Sequence, residues 1–494
     1  MTRRPLGGLS RRGDACVGPF SYARAKFPPS GILRRVPRSR PVSLSKFARR
    51  VGIAAWAACL SIVPNAMPAE RQITSAPHGH VLTNVGVWSP DSRWIAYDVR
   101  SSDGIFDGTR IERVKVDTSR VEVLYESVNG AACGVVTWHP TQPQVAFIHG
   151  PEHPTADWSY GASRRRGAVV DANLPGVARP LDAMNYAPPF TPGALRGGSH
   201  VHVFSPDGAA VSFTYEDEVL ARLGPAGEHD FNQRTIGVTL LGAGRAVTVA
   251  RNHPRNHDGD GFTVVVARTV NRPRPGSDEI GRAYEEGWVT RADGRRALAF
   301  LGNVTAPDDR EHPEVFIVEL PADLAKAGEA GPLEGTSFRR PAPPRGVMQR
   351  RLTFTAGRRF PGAVTTPRHW VRAAPDGSAI AFLMKDDAGE VQLWTISPEG
   401  GEPRQVTRNP VGIASAFTWS PDGRRIAHAM DGSVCVTEIA TGTTTRLTPR
   451  AEGETAPLAL ACVFSPDGRR IAYQRKVRSA AGVFAQIFVT DAPL

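Results

Sequence analysis

The chain has 494 residues, enough for several ordinary domains, although a fold made of repeats can hold that length in one closed body. Its formal net charge of +12 would by itself suggest a nucleic-acid partner. Residues 1–50, however, contain 13 Lys and Arg and a single acidic residue, so this segment carries the whole excess and the remainder is neutral. We therefore expect no nucleic-acid binding.

The N-terminal region has the pattern of an exported protein. Residues 1–43 are rich in Arg, Pro and Ser without apolar periodicity, and we interpret them as a leader or as a start codon assigned too early. Within 44–69, the basic run Lys46–Arg50 precedes the apolar stretch Val51–Val63 and then small residues, which predicts a secretory signal. The apolar stretch is shorter than the ~20 residues of a membrane span. We expect a periplasmic or secreted protein without a transmembrane anchor.

The five cysteines do not predict a disulfide framework. Cys59 lies inside the predicted signal, where lipidation is an alternative to simple cleavage. Cys133, Cys435 and Cys462 each lie in an apolar strand pattern, and we expect them to be buried and free.

A strand-turn-strand unit recurs along the rest of the chain. In each copy Pro fixes φ, Asp-Gly closes a tight turn and an alternating apolar run returns antiparallel. Two more strand signals follow most hairpins, so each repeat predicts four antiparallel strands, which is the composition of a propeller blade. Plain copies begin at Val87, Val203, Ala373, Thr418 and Val463, and weaker copies begin at Thr137 and Thr290.

These repeats predict an all-β fold, a single β-propeller over residues 70–494, with seven four-stranded blades and six or eight as alternatives. The last repeat ends without an outer strand, and Arg71–Thr74 matches the outer-strand sequence Arg404–Thr407. We therefore predict that the N-terminal strand completes the C-terminal blade and closes the ring. Long insertions are predicted near 150–199, 216–285 and 320–350, where function commonly lies in repeat scaffolds.

The Ser-Pro-Asp-Gly hairpins, as at 205–208, resemble the TolB-type propeller repeat, a WD40-like or PD40 repeat, from about Glu70 to the end. More narrowly, segments 193–208 and 272–288 resemble a bacterial family of unknown function grouped with TolB-like proteins. The resemblance implies the propeller fold and carries no established activity. Trp88 follows the predicted signal too closely for the extra domain of TolB, so we carry over no role in the Tol machinery.

Three neighbouring blades place a potential metal ligand five residues before the turn Ser: His200, Glu286 and His369. His202 follows on the expected face of the same strand as His200. Because inner strands converge on the axis, these side chains could bind one divalent ion, Mn²⁺, Zn²⁺ or Fe²⁺. The alternative is that the histidines hydrogen-bond backbone and tie the blades together.

A group of arginines could bind an anionic ligand at the channel. Arg272, Arg274 and Arg282 lie in a charged segment just before an inner strand, and Arg196 precedes the His200 strand. For the segment around Arg272, a solvated loop is the alternative.

Two functions are compatible with these patterns. The first is a monomeric periplasmic binding or scaffold module for an envelope polymer, a saccharide or a protein. The second is a metal-dependent, lyase-like enzyme acting on an acidic saccharide, by analogy with oligogalacturonide lyases, whose propeller is similar and uses a His-x-His pair. The chain contains no Gly-x-Ser-x-Gly elbow, Walker loop or His-Glu-x-x-His motif that would assign another chemistry.

Overall fold

A computed structural model of the protein describes residues 69–291 and 293–493. The predicted leader, almost all of the predicted signal and Cys59 lie outside these residues. The first strands in chain order are β1 (Glu70–Gln72), β2 (His80–Val81), β3 (Trp94–Val99), β4 (Arg110–Lys115), β5 (Val121–Glu126), β6 (Cys133–Trp138), β7 (Gln144–His149), β8 (Arg166–Asp171), β9 (Ala178–Pro180), β10 (Gly197–Phe204), β11 (Ala210–Asp217), β12 (Thr235–Leu240) and β13 (Phe262–Val265).

The second half of the described chain is also built from strands. They are β14 (Ile280–Thr290), β15 (Arg296–Thr305), β16 (Glu311–Glu319), β17 (Met348–Arg351), β18 (Arg372–Ala373), β19 (Ile380–Lys385), β20 (Val391–Ile396), β21 (Arg404–Gln405), β22 (Thr418–Trp419), β23 (Arg425–Met430), β24 (Ser433–Glu438), β25 (Thr444–Arg446), β26 (Cys462–Phe464), β27 (Arg470–Ser479) and β28 (Gly482–Asp491). One short helix, α1 (Glu218–Leu223), follows β11, and a 3₁₀ turn spans Gly453–Thr455.

The strands form seven antiparallel four-stranded sheets, which confirms the seven-bladed propeller. Blades 1 to 6 each use four consecutive strands, starting with β2-β3-β4-β5, and blade 7 has the order β26-β27-β28-β1. Hydrophobic clusters lie between neighbouring blades: Ile95 of blade 1 packs with Ala472 of blade 7, and Val238 of blade 3 packs with Phe300 of blade 4. Each blade is therefore stabilised mainly by burial against its neighbours.

The N-terminal strand closes the ring, as the sequence predicts. Glu70 pairs with Thr490 and Gln72 with Phe488 in the β1–β28 register. The repeated Thr at the end of the outer-strand motif has a structural role, because its hydroxyl accepts a backbone N–H of the third strand. Thr74 accepts from Ile487 at 2.9 Å, as Thr407 accepts from Leu393 at 2.9 Å in blade 5.

The Ser-Pro-Asp-Gly turns are held by their own side chains. In blade 3 the hydroxyl of Ser205 donates to Asp207 at 2.5 Å and accepts the N–H of Ala210 at 3.0 Å. Gly208 has φ 71°, and a Cβ there would meet the ring of His139 in blade 2. Glycine is needed here by conformation and by close approach.

Tryptophans of the inner hairpins tie successive blades together through indole N–H donors. Each donates to a backbone carbonyl of the preceding blade at 2.9–3.0 Å: Trp88 to Val463, Trp288 to Val203, and Trp419 to Arg372. The contact of Trp88 joins blade 1 to blade 7 and so reinforces the closure.

The first two predicted insertions contain regular elements. β8 and β9 lie within 150–199, and α1, β12 and β13 lie within 216–285. The three cysteines at 133, 435 and 462 are buried and free, as predicted. No helix in the described part of the chain is long and apolar enough to cross a membrane.

Candidate functional site in the axial cavity

A cavity of about 410 Å³ lies where the inner segments of blades 1, 2, 3, 5 and 7 meet. Because five blades contribute to its wall, it lies on the central axis of the ring, and we call it the axial cavity. Its polar and aromatic lining includes Asn84, Tyr160, Arg165, His200, Arg368 and Trp370.

A second cavity of about 350 Å³ lies among the inner hairpins and is lined by Trp88, Trp138 and Trp288 and by turn prolines. Arg372 of blade 5 also lines this apolar cavity, and its guanidinium donates to the side-chain oxygen of Asn84 in the axial cavity. Arg372 therefore lies between a polar and an apolar compartment of the channel.

His200 reaches the axial cavity because its strand is bulged. The β10–β11 register shifts between His200 and Val203, and Val201 has φ 58°. Burial, and then the positive charge of Arg165, lower the pKa of His200 well below its usual range, so the ring is neutral at pH 7. Its Nδ1 has no hydrogen-bond partner among residues 69–291 and 293–493.

The strand register corrects the predicted equivalence of Glu286 with His200. In blade 4 the shift falls between Tyr284 and Gly287, and the residue with positive φ is Glu285. Tyr284 therefore occupies the position of His200, and Glu286 occupies that of His202. The cause is a longer hairpin, since β14 and β15 stay paired for two residues beyond Trp288.

His202 lies apart from the axial cavity, so the predicted shared face with His200 is wrong. The bulge at Val201 changes the direction of the following side chain, and His202 is fully buried. Its Nε2 lies 2.9 Å from the hydroxyl of Ser199, which donates to Asp182 at 2.7 Å. His202 thus belongs to a closed polar cluster between blades 2 and 3.

Glu286 is fully buried, and neither of its carboxylate oxygens has a hydrogen-bond partner in the described residues. Burial, and then the charge of Glu285, raise the pKa of Glu286 to about 8. Its carboxyl group is therefore mostly protonated at neutral pH, and the backbone carbonyl of Glu286 lies 3.5 Å from the guanidinium of Arg372.

His369 has a structural role. Its Nε2 accepts the backbone N–H of Leu383 at 3.1 Å, and its Nδ1 lies 3.3 Å from the carbonyl of Pro367. Burial lowers the pKa of His369 to about 4, so the ring is neutral. With both nitrogens engaged by backbone, the ring has no lone pair left for a metal ion.

The four predicted metal ligands therefore do not form one set. His369 is engaged by backbone, His202 by Ser199, and Glu286 is displaced by two positions from the expected alignment. In the part of the chain that the structure describes, no three His, Cys, Asp or Glu side chains are grouped to hold a metal ion. This donor arrangement does not fit Mn²⁺, Zn²⁺ or Fe²⁺.

None of the predicted ligand-binding arginines lines the axial cavity. Arg196 is buried, pairs with Asp217 at 2.7 Å and donates to the carbonyl of Arg339 at 2.6 Å. Arg272, Arg274 and Arg282 are exposed near the start of β14, where Arg274 pairs with Glu279 and Arg282 stacks on Tyr284. Arg196 ties the third insertion to blade 3.

Sequence reasoning missed the arginines that do line the cavity: Arg100, Arg165 and Arg368. Arg100 pairs with Asp98, and Arg368 pairs with Glu285 at 2.8 Å. Arg165 is buried and donates to the hydroxyl of Tyr160 at 3.3 Å. The run Arg164–Arg166 was the available signal, because three adjacent arginines at the start of a buried strand are unusual.

Comparison with known proteins places the chain in a family. Residues 132–257 match the family described as a protein of unknown function (DUF3748). Among solved structures, an oligogalacturonate lyase in complex with manganese has a TM-score of 0.52 and 13% identity, covering 87% of this chain and 94% of that chain. TolB from Acinetobacter baumannii has a TM-score of 0.34 and 14% identity, covering 81% and 80%. At these identities a likeness to a solved structure shows at most the fold.

The relationship to a curated bacterial protein is much stronger. The uncharacterized protein YidR of Escherichia coli (strain K12) is 50% identical over 382 residues, covering 77% of this chain and 89% of that protein. The chain belongs to the YidR family.

Proposed function

We propose that the protein is a periplasmic binding propeller whose axial cavity binds a small carboxylate-bearing ligand, most simply an acidic sugar. The observation that carries this proposal is the buried guanidinium of Arg165, which lines the cavity and forms no ion pair within the described residues. A buried charge without a counter-ion is costly, and an anionic ligand would supply the missing charge.

The free hydrogen-bonding groups of the cavity suit such a ligand. The Nε of Arg165 and the Nδ1 of His200 are buried and lack partners among the described residues. A guanidinium binds a carboxylate through two parallel N–H donors, and a neutral imidazole nitrogen accepts a hydroxyl. One charged donor and one neutral acceptor match the carboxylate and hydroxyls of a sugar acid.

Aromatic rings give the cavity its apolar surface. Phe106 and Tyr160 stack with ring centroids 4.5 Å apart, and Trp370 lies under the guanidinium of Arg368 at 4.4 Å. All of these side chains line the cavity. Flat aromatic surfaces beside fixed polar groups are typical of small-molecule sites and suit the apolar face of a sugar ring.

The periplasmic location rests on the basic run followed by an apolar stretch at 46–63, which is the order of a secretory signal. Binding is favoured over the metal-dependent lyase because the four side chains predicted as ligands do not meet at one point. His202 and His369 serve other contacts, and Glu286 does not occupy the position equivalent to His200. The likeness to an oligogalacturonate lyase supports the choice of an acidic sugar as the first ligand class to test.

Calorimetric titration with D-galacturonate, with D-galactose as the neutral control, tests the proposal. We expect D-galacturonate to bind and D-galactose not to bind. Arg165→Gln should weaken binding at the axial cavity at least about tenfold, since a charge-assisted hydrogen bond contributes about 1.5–3 kcal/mol. Arg424→Gln, at an exposed position remote from the cavity, is the matched control. Equal binding of both sugars, or equal affinity in Arg165→Gln and wild type, would contradict the proposal.

A further inference from the structure

A third cavity, of about 250 Å³, lies outside the channel in the loops of blades 2 and 3, and we call it the loop pocket. We infer that the loop pocket is a second binding site for an acidic sugar, so that the preferred ligand is an oligosaccharide carrying several carboxylates. The inference rests on the proposed function for the ligand class. The residues that carry it are Glu152, Trp158, Arg164, Arg166, Arg255 and His257.

Arginines surround one buried aromatic ring in this pocket. The guanidinium carbons of Arg164, Arg222 and Arg255 lie 5.2, 5.2 and 5.8 Å from the ring centre of Trp158. Tyr186 packs edge-on against the same ring, with centroids 5.0 Å apart. The indole holds the guanidinium groups in place by cation–π contact, which lowers the entropy cost of binding an anion to them.

The positive charge of the pocket is only partly neutralised. Arg164 and Arg222 share Glu218 at 3.0 and 2.9 Å, and Arg166 pairs with Glu152 at 3.0 Å. When Arg255 is included, four guanidinium groups lie beside only two carboxylates. The excess of positive charge favours an anionic ligand.

Arg255 provides the uncompensated group. Its guanidinium donates to the backbone carbonyls of Glu152 at 2.5 Å and His153 at 3.0 Å, and it forms no ion pair with any residue that the structure describes. Carbonyl partners fix the position of the group without cancelling its charge. The Nε of Arg166 is also buried and has no partner in the described chain. Both groups can donate to a carboxylate.

His257 adds a neutral polar group to the same wall. Its Nδ1 lies 2.9 Å from the carbonyl of Asp258, so Nδ1 carries the proton and Nε2 is the acceptor. Burial, and then the charge of Arg166, lower the pKa of His257 to about 4, which keeps the ring neutral at pH 7. The loop pocket therefore repeats the combination found in the axial cavity: unpaired guanidinium donors, a neutral imidazole and aromatic surface.

One short segment separates the two sites. Arg165 lines the axial cavity, whereas its neighbours Arg164 and Arg166 line the loop pocket. Alternation along an extended chain places successive side chains on opposite sides, which explains this division. All lining residues of the loop pocket fall between 150 and 257, within the segment 132–257 that matches the family. The pocket is thus built from the loops that follow the repeats beginning at Thr137 and Val203.

The test compares D-galacturonate with its linear hexamer, using a neutral malto-hexaose as control. We expect two monomer sites in wild type and one in each of Arg255→Gln and Arg165→Gln, measured by calorimetry. The hexamer should bind at least about tenfold more tightly than the monomer in wild type, because linked sites act at high effective concentration. Arg255→Gln should lose most of this gain. Arg424→Gln is the matched control, and far-ultraviolet circular dichroism verifies folding.

Trp158 gives the pocket its own signal. Because Trp370 lines the axial cavity, the measurement uses Arg165→Gln, in which the axial site is lost. Saturation with the monomer should quench tryptophan fluorescence in Arg165→Gln, and this quenching should be absent when Trp158→Phe is added to Arg165→Gln. Tyr186→Phe, which keeps the edge-on ring, is the control for general changes in the pocket.

The outcomes separate this inference from the proposed function. A single site that is lost in Arg165→Gln and kept in Arg255→Gln would overturn the loop pocket and leave the axial site standing. A single site with the opposite pattern would overturn the axial site and support the loop pocket. Binding of neither sugar would overturn both.

Discussion

Blades 3 and 5 use the same aligned position in opposite ways. In blade 5 the inner strand β18 is only two residues long, and the ring of His369, which precedes it, accepts the N–H of Leu383. In blade 3 the inner strand β10 has eight residues, and His200 pairs with Thr214 through the backbone. The side chain of His200 is therefore not needed to hold the strands together, and it faces the axial cavity. A histidine side chain is therefore available for binding where the backbone of the inner strand already forms the hydrogen bonds to the neighbouring strand.

The bulge makes the difference between the two blades. Blades 2, 3 and 4 each contain a non-glycine residue with positive φ in the inner strand, at Val135, Val201 and Glu285. Such conformations are costly for β-branched residues and persist where the surrounding structure imposes them. These blades also carry the long insertions. The regular blades stabilise the ring, and the irregular ones shape its cavities.

The largest expected effect comes from removing the structural histidine. We expect His369→Ala to lower the free energy of unfolding by about 3–4 kcal/mol, since a buried N–H loses its acceptor and a cavity remains. His200→Ala should cost less than about 1 kcal/mol, because its ring nitrogens support no backbone group. Urea unfolding of both variants measures the contrast. Equal losses would contradict the division between the blades.

The pH dependence of stability tests the burial of Glu286 in the irregular region. Its pKa is raised to about 8 in the folded protein, so the native state binds more protons than the unfolded state between about pH 4.5 and 8, and stability falls as pH rises through this window. Glu286→Gln removes this loss. We expect the variant to be more stable than wild type by about 3 kcal/mol at pH 7, with the difference vanishing near pH 4.5. Thermal melting across this range checks the trend, and a pH-independent difference would contradict it.

Ser415 in blade 6 has the same hydrogen-bonding role as His369 in blade 5, with a smaller side chain. Its hydroxyl accepts the N–H of Ala429 at 2.7 Å, which is the bond that Leu383 makes in blade 5. We expect Ser415→Ala to lower the free energy of unfolding by about 1–2 kcal/mol, without effect on D-galacturonate binding. Ser415→Thr keeps the hydroxyl and is the control. A loss of ligand affinity in Ser415→Ala would show that the regular blades also shape the site.

The smallest change in stability is expected at the bulge of β10. Val201 has φ 58°, where glycine carries no steric penalty, so Val201→Gly should change stability by less than about 1 kcal/mol and keep D-galacturonate affinity. Calorimetric titration and urea unfolding measure both quantities. A large destabilisation would mean that the valine side chain, and not the backbone conformation, holds His200 in place.

The repeats carried most of the fold prediction, because Pro and Asp-Gly mark each turn and alternating apolar residues mark each strand. The same method failed at Glu286, since the weak repeat near Thr290 gave no sign that its hairpin is longer. The bulges at Val201 and Glu285 were also invisible, because neither residue type favours positive φ. Arg165 was missed because a charged residue next to a strand is usually solvated, and only the packed structure shows which side it faces.

The pairing of Glu70 with Thr490 has a consequence for the order of folding. Blade 7 combines β1 with β26, β27 and β28, so among the seven blades it is the one that cannot be completed until the last strands have been synthesised. Contacts between residues so distant in sequence are slow to form. We expect blades 1 to 6 to accumulate as an open arc, and ring closure to be the slow final step. The arc would expose the inner faces of its two end blades until then, which makes this intermediate the species most prone to aggregate and the natural point of action for a chaperone.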